Sequence, residues 1–477
     1  MMALYGFHKI LTIWRFYHDR ANKPSPLFRY PTSDLPKVTV QLPIFNEMYV
    51  AERLIEAIAK LEYPSQKLEI QVLDDSTDET QLICQRKVAQ LKSENFDITY
   101  LHRENRRGFK AGALAAGLRQ AKGELALIFD ADFVPAPNIL IQMVDYFSDP
   151  KIGMVQARWG HLNRQYSILT EIQALMLDGH FVIEQTARNK SGCFFNFNGT
   201  AGILRISAIS EAGGWQHSTV TEDLDLSYRL QLKGWRCIYL PNLVVAAELP
   251  IEMNSFKSQQ FRWAKGASQV AKKLLIPILR SKQPFYVKLE AVLHMTNNLN
   301  YFLLVTILVL SLPYQMYVSQ NNLNYSIFIY LPIFIGTNFN LLFFYWISQR
   351  ERTSYFERKE TFSPWKFGLN IFGLMAIGIG LSINQSLAVC EGFIRVGTEF
   401  VRTPKYGLIR KRESWRAKKY RGDKTFWIFC LESLMVCYLL ITILFTIHVG
   451  QYLSLPFLFL FTLGHLYVLT LGLFQRS

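Results

Sequence analysis

Hydrophobic positions along this 477-residue chain follow two rhythms. Over residues 35–282 short apolar runs alternate with polar turns. Residues 38–42 and 68–73 are β-rich runs that end in polar residues, and residues 48–61 between them have helical spacing with Pro64 soon after. This pattern predicts a βαβ unit. Residues 97–101 predict another strand, 112–120 a helix, and 125–129 a buried strand ending in Asp130. The second rhythm is unbroken: no Asp, Glu, Lys or Arg occurs between Ala291 and Gln349, nor between Ser433 and Gln475. Stretches of that length belong in lipid. They predict spans at 301–318, 327–347, 426–449 and 455–474, paired as two hairpins, the first closed by an uncharged turn at 320–325. The fold class is therefore an α/β domain followed by an α-helical transmembrane domain.

Charge gives the hairpins a direction. Residues 401–425 hold ten Lys and Arg against two acids, Glu413 and Asp423, and the loop after the first hairpin carries Arg350, Arg352, Arg358 and Lys359. Basic loops stay in the cytoplasm. The apolar stretch 367–389, broken by Gly373, Gly378, Gly380, Ser382 and Asn384, lies between two such loops and is expected as an interfacial or re-entrant helix rather than a single crossing. The α/β domain is then cytoplasmic, on an integral membrane protein with four spans. At the N-terminus Lys9, Arg15, Asp19 and Arg20 interrupt the apolar residues, which predicts an interfacial amphipathic helix; a remnant of a longer anchor is the alternative. The expected segments are 1–34 (interfacial), 35–282 (cytoplasmic domain), 283–349 (first hairpin), 350–425 (interfacial helix and basic region) and 426–477 (second hairpin).

Composition narrows the classes further. With 50% hydrophobic residues the chain is neither disordered nor fibrous. Its six scattered cysteines suit a reducing compartment better than a disulfide framework. The net charge of +15 could suggest nucleic acid, but more than half of it sits in the 401–425 segment and no aromatic-rich basic groove is visible, so no nucleic-acid partner is expected. The sequon Asn198-Gly-Thr200 falls in the cytoplasmic domain and is expected as a pocket wall.

Carboxylates dominate the candidate chemistry. In parallel α/β sheets ligands sit beyond the carboxyl ends of strands, where Asn46, Asp74, Asp75, Asp130 and Asp132 all fall. Asp130 and Asp132 are two apart at a strand end and share a face, so they can hold one hard divalent cation, Mg²⁺ or Mn²⁺, through oxygen. Alone, that pair is as readily a solvated turn, and Asp223 in Thr221-Glu222-Asp223 is as readily a helix N-terminal carboxylate. A fourth station, Gln259-Gln260-Phe261-Arg262-Trp263, raises the set above those alternatives. Gln259 and Arg262 share a helix face. An Arg there can fork onto a diphosphate and the Trp can stack on a sugar ring, although an Arg-Trp pair also serves as an interfacial anchor.

Asp75, Asp130-Ala131-Asp132, Thr221-Glu222-Asp223 and Gln259-x-x-Arg262-Trp263, in this order ahead of membrane spans, resemble the processive family 2 glycosyltransferases, most of all the cellulose-synthase-like glucan and mannan synthases. Supporting stretches are Gln41-Leu-Pro-Ile-Phe-Asn46-Glu47, His102-Arg103 with Gly108-Phe-Lys110-Ala-Gly, Phe197-Asn198-Gly199-Thr200 and Glu248-Leu-Pro250. The resemblance implies a GT-A nucleotide-sugar domain feeding a transmembrane channel. It implies nucleotide-sugar contacts at Asn46, Glu47, Asp74, Asp75, Lys110 and Asp130, with Arg107 as a further phosphate contact. It implies a metal at Asp130 and Asp132, a catalytic base at Asp223 beside Glu222, and acceptor and diphosphate contacts at Gln259, Arg262 and Trp263. Phe400-Val-Arg402-Thr403-Pro-Lys405 is similar to the family's gating loop, in which Thr403 and Lys405 would close over the nucleotide. The implied function is transfer of a hexose from UDP-glucose or GDP-mannose to a β-linked polysaccharide, with translocation of the chain as a further expectation. A glycolipid-forming enzyme with a ceramide or diacylglycerol acceptor is the rival, and a non-catalytic scaffold or transporter the remote alternative.

Overall fold

A computed structural model describes residues 2–321, 327–352, 363–394, 402–411, 413–422 and 426–475, the side chains of residues 2 and 327–338 excepted. Most of the expected turn at 320–325, and Arg358, Lys359, Phe400, Val401, Arg412, Asp423 and Lys424, lie outside the described residues.

Seven strands form one mixed sheet: β1 (Val38–Ile44), β2 (Leu68–Asp74), β3 (Ile98–His102), β4 (Leu125–Ile128), β5 (Ile152–His161), β6 (Gly202–Arg205) and β7 (Arg236–Ala247), in the order β3-β2-β1-β4-β6-β5-β7. β1 pairs parallel with β2 and β4, and β2 with β3, while β6 runs antiparallel between β4 and β5. Every residue of β1 and β2 is buried, as a parallel sheet covered on both faces requires. The helices Ala51–Ala59 and Phe109–Leu118 fall where the spacing predicts them, shifted by a few residues at their ends. The parallel β1, β2 and β4 end together, which delivers Phe45 to Glu47, Asp75 and Asp130 to one rim.

The 28-residue helix Met253–Arg280 leads from the sheet toward the apolar helices. Among the described residues three helical segments are long and apolar enough to cross a membrane, Leu299–Gln320, Phe426–His448 and Tyr452–Phe474. A fourth helix, Ile327–Glu351, covers the remaining expected span. The stretch expected as an interfacial or re-entrant helix consists of two helices, Pro364–Gly380 and Ser382–Ile394, bent by 50° at Leu381. Gly380 permits this packing, since a Cβ there would lie 2.3 Å from the carbonyl oxygen of Gly464 on the last helix.

The N-terminal helix Met2–His18 buries polar groups as well as apolar ones. Leu4, Phe7 and Trp14 are exposed, whereas His8, Thr12 and Arg15 are buried against the protein. The buried polar groups are satisfied: Glu290 accepts from His8, Arg15 and Arg188, and Tyr5 Oη donates to the Thr296 carbonyl at 3.0 Å. Tyr5, Ile13 and Phe16 pack inward beside these polar groups, while the outward Leu4, Phe7 and Trp14 suit an apolar surround rather than water on that face.

Candidate active site

The four motif stations converge. A cavity of about 170 Å³ at the strand ends is lined by Glu47, Asp75, Lys110, Asp130 and Asp132, by Glu222 and Asp223, by Gln259, Arg262 and Trp263, and by Thr403 and Lys405. Side chains more than 300 residues apart thus share one wall.

Most of these carboxylates have a defined partner. Asp130 Oδ1 accepts from Lys110 Nζ, which also donates to the Gly199 carbonyl at 2.9 Å. Asp132 Oδ2 accepts from Lys405 Nζ at 2.7 Å and from the Glu248 backbone N–H at 3.1 Å. Glu248 pins the 402–407 segment over the cleft: its carbonyl accepts from Lys405, and its Oε2 accepts from Tyr406 N and Gly407 N. Asp75 is forked by Arg103, and Glu47 lies 3.6 Å from Arg402. Thr403 is buried with its hydroxyl unpartnered among the described residues, the kind of orphan that a ligand satisfies.

Crowding acids in a dry cleft raises their pKa values. Burial, and then the neighbouring Asp223, push Glu222 up to about 7. Burial likewise raises Asp223 and Asp130 against the pull of Lys110, and raises Glu47 to about 7 against that of Arg402. Burial lowers Arg262, a shift that the charges of Glu222, Asp130 and Asp223 oppose. Lys110 is raised, because the carboxylates around it outweigh its burial.

Asp223 sits in the first turn of the helix Glu222–Leu232. Its Oδ1 accepts from the Leu224 backbone N–H at 2.9 Å, which leaves Oδ2 toward the cavity beside Gly199. Gly199 has φ +81°, and a Cβ there would lie 3.0 Å from that Oδ2. Gly266 plays the same part on the long helix: a Cβ would meet the Thr221 side chain at 2.3 Å, so only glycine lets that helix press on the Thr221-Glu222-Asp223 station.

Some expected contacts are absent from the cleft. Asp74, grouped above with the nucleotide-sugar contacts, is fully buried away from the cavity, where it accepts from Ser76 N and Tyr100 Oη. Its neighbour Asp75 is the one that reaches the cavity, because successive residues at a strand end point to opposite faces. Asn46, at φ 53°, bonds Ser76 and Thr77 and does not line the cavity. Arg107 is exposed, while Arg106 lines the cleft with its guanidinium 3.3 Å from the Phe45 ring centroid. Arg106 and Trp159 escaped the motif reading, and Glu248 was noted only as part of a supporting stretch. Trp159 is packed edge-on against Phe133 with its indole N–H unpartnered, and no local signal separated it from a core aromatic.

A second, far larger cavity of about 1510 Å³ runs among the apolar helices toward Tyr314, Gln315 and Gln451. It shares Trp159, Leu177, Asn198, Thr221, Asp223 and Trp263 with the acidic cleft.

Residues 36–266 match the profile described as "Glycosyltransferase like family 2". Over these residues the chain is of the family 2 glycosyltransferase type. Among similar proteins, glucomannan 4-beta-mannosyltransferase 2 of Arabidopsis thaliana is 44% identical over 261 residues, covering 53% of this chain and 48% of that protein. Glucomannan 4-beta-mannosyltransferase 1 of Oryza sativa subsp. japonica is 38% identical over 342 residues, covering 66% and 64%. The chain thus spans about half to under two thirds of the length of these curated relatives. A solved mannosyltransferase from Pyrobaculum calidifontis, in complex with GDP-Man and Mn²⁺, superposes with a TM-score of 0.50 at 21% identity, covering 76% of this chain and all of that one. As in that structure, the fold of this chain is a GT-A-like α/β domain, here joined to apolar helices.

Proposed function

We propose that this chain is the catalytic and channel region of a membrane synthase that moves a hexose from a nucleotide sugar onto the hydroxyl of a growing β-linked polysaccharide. The shared wall of the acidic cleft and the helix-lined cavity carries this proposal, since Asp223 and Trp263 belong to both. Of the two donors compatible with the motifs, the relatives' names favour a mannosyl donor over a glucosyl one. The basic loops favour a cytoplasmic catalytic domain.

Asp223 Oδ2 takes the proton from the acceptor hydroxyl. The freed oxygen attacks the anomeric carbon while the nucleoside diphosphate leaves from the opposite face, so the configuration inverts. Glu222, held up to about 7 beside it, keeps the pair from carrying two full negative charges. Arg262, Lys110 and Lys405 meet the charge that develops on the diphosphate. Trp263 offers its face to the acceptor sugar, and Gln259 orients the same helix turn.

The donor set suits a hard divalent cation. Asp130 and Asp132 each already hold an ammonium group, from Lys110 and Lys405, which shows two carboxylates directed at positive charge. Among the described residues no cluster of three or more His, Cys, Asp or Glu could complete a cage. Mg²⁺ and Mn²⁺ accept this, since phosphate oxygens and water supply the remaining positions. When bound, such an ion would draw charge from the leaving diphosphate.

Protein purified in detergent, offered each nucleotide sugar with Mg²⁺ or Mn²⁺, tests the proposal. Release of nucleoside diphosphate together with a product cut by β-mannanase or β-glucanase supports it. A labelled product that stays in organic solvent indicates a lipid acceptor instead.

A further inference from the structure

The wall between the two cavities contains a side chain whose orientation is over-determined. Asn198 lines both, one residue before the glycine that faces Asp223. Its Oδ1 accepts from Gln156 Nε2 and from Gln185 Nε2, each at 2.7 Å. Main-chain partners fix both glutamines: Gln156 Oε1 accepts from Asn198 N at 2.7 Å, and Gln185 Nε2 also donates to the Asn196 carbonyl at 2.8 Å. The Asn198 amide must then turn its NH₂ the other way, where Nδ2 stands 3.3 Å from His180 Nε2.

The histidine is fixed in turn. His180 Nδ1 lies 3.1 Å from Glu184 Oε2, and a carboxylate only accepts, so Nδ1 carries the hydrogen and Nε2 is the acceptor for Asn198. Burial lowers the His180 pKa, which agrees with a neutral ring. Glu184 is engaged by Lys9 Nζ from the N-terminal helix and by Arg188 at 3.5 Å. His180 and Glu184 lie on a π-helical turn, Gly179–Glu184, a distortion often found at functional sites. Its Gly179 abuts the Ile327–Glu351 helix: a Cβ there would lie 2.7 Å from Tyr345.

An Asn amide has two hydrogens. One goes to His180, and the other has no partner among the described residues, on a side chain that lines both cavities together with Asp223 and Trp263. We propose that Asn198 presents this second N–H to a hydroxyl of the acceptor sugar, and that His180, Glu184 and Lys9 are positioning residues that hold the amide in that orientation. The N-terminal helix thereby completes the acceptor subsite from outside the α/β domain. This rests on the transferase proposed above.

The test is acceptor kinetics of the full chain with a soluble β-linked oligosaccharide. A lost neutral hydrogen bond corresponds to roughly a 3- to 10-fold change. His180→Ala is expected to raise the acceptor KM by about that factor, with kcat at saturating acceptor and the donor KM both changed less than about twofold. His180→Gln, whose Oε1 can accept from Asn198, is expected to recover most of the loss. Lys9→Met, outside the catalytic fold, should shift the acceptor KM in the same direction by less, and it carries the test if His180→Ala does not fold. An acceptor KM unchanged in both variants, or His180→Gln no better than His180→Ala, overturns the positioning role alone. No transfer by the unsubstituted chain with any nucleotide sugar removes the transferase proposal, and this one with it.

Discussion

The two cavities are built from opposite materials. The cleft of about 170 Å³ is walled by charge, with acids and the basic side chains that answer them within reach of one another. The passage of about 1510 Å³ is walled by apolar and aromatic side chains with scattered amides and hydroxyls, and Lys9 and Glu184 at its N-terminal-helix side are paired with each other. Charge is expensive to bury unless it is used, so the concentration of acids and bases in the cleft marks where a charged ligand is handled. Neutral walls with aromatic faces suit a neutral chain that must be held weakly enough to move.

The largest effect should come from the cleft. Asp223→Asn removes the proton acceptor while keeping shape, and kcat should fall by roughly 10²- to 10⁴-fold, with donor binding retained in a calorimetric titration. Stripping divalent ions with a chelator should cost on the order of 10²-fold in rate, restored by Mn²⁺ or Mg²⁺ in a diphosphate-release assay. Acidification comes next. Burial holds both Glu222 and Asp223 above the usual carboxylate range, Glu222 at about 7, so their protonated forms persist to higher pH. The proton-accepting form of Asp223 is lost as pH falls, and because burial raises that carboxyl, the acid limb of a pH–rate profile should lie at higher pH than an ordinary aspartate would give. At the boundary Trp263→Ala should raise the acceptor KM by roughly 3- to 10-fold through lost stacking, read from oligosaccharide kinetics. Smallest on rate, yet the sharpest separation of the two regions, is Gly378→Trp. This glycine lines the passage with open space where a Cβ would point, so the first transfers should continue within about twofold while gel filtration shows shorter products.

The βαβ start, the buried β4 and the acidic stations were legible because each is local: strand periodicity and a polar residue at the strand end are read within ten residues. The convergence of Asp132, Asp223 and Trp263 followed from the resemblance rather than from spacing, since nothing in the intervening residues measures a distance. Asp74 was misplaced because adjacent carboxylates at a strand end look alike in sequence, and only the pleat decides which one faces the cleft. Trp159 and His180 were silent for a related reason. A Trp within a strand reads as core, and His180 acquires its partner 18 residues away only through the π-helical turn. The break at Leu381 lay within the glycine-rich stretch, but composition alone did not distinguish one helix from two bent by 50°.

The cleft and the helix-lined cavity are joined at Asp223 and Trp263, and sealed vesicles with the cleft facing outward test most directly whether transfer and passage are joined there as proposed. Supplied with external labelled nucleotide sugar, they should accumulate polymer inside, protected from added β-mannanase or β-glucanase until detergent is added. Polymer that is fully digested before detergent would show that the helix-lined cavity is no route for the product, and would contradict the joining of the two regions.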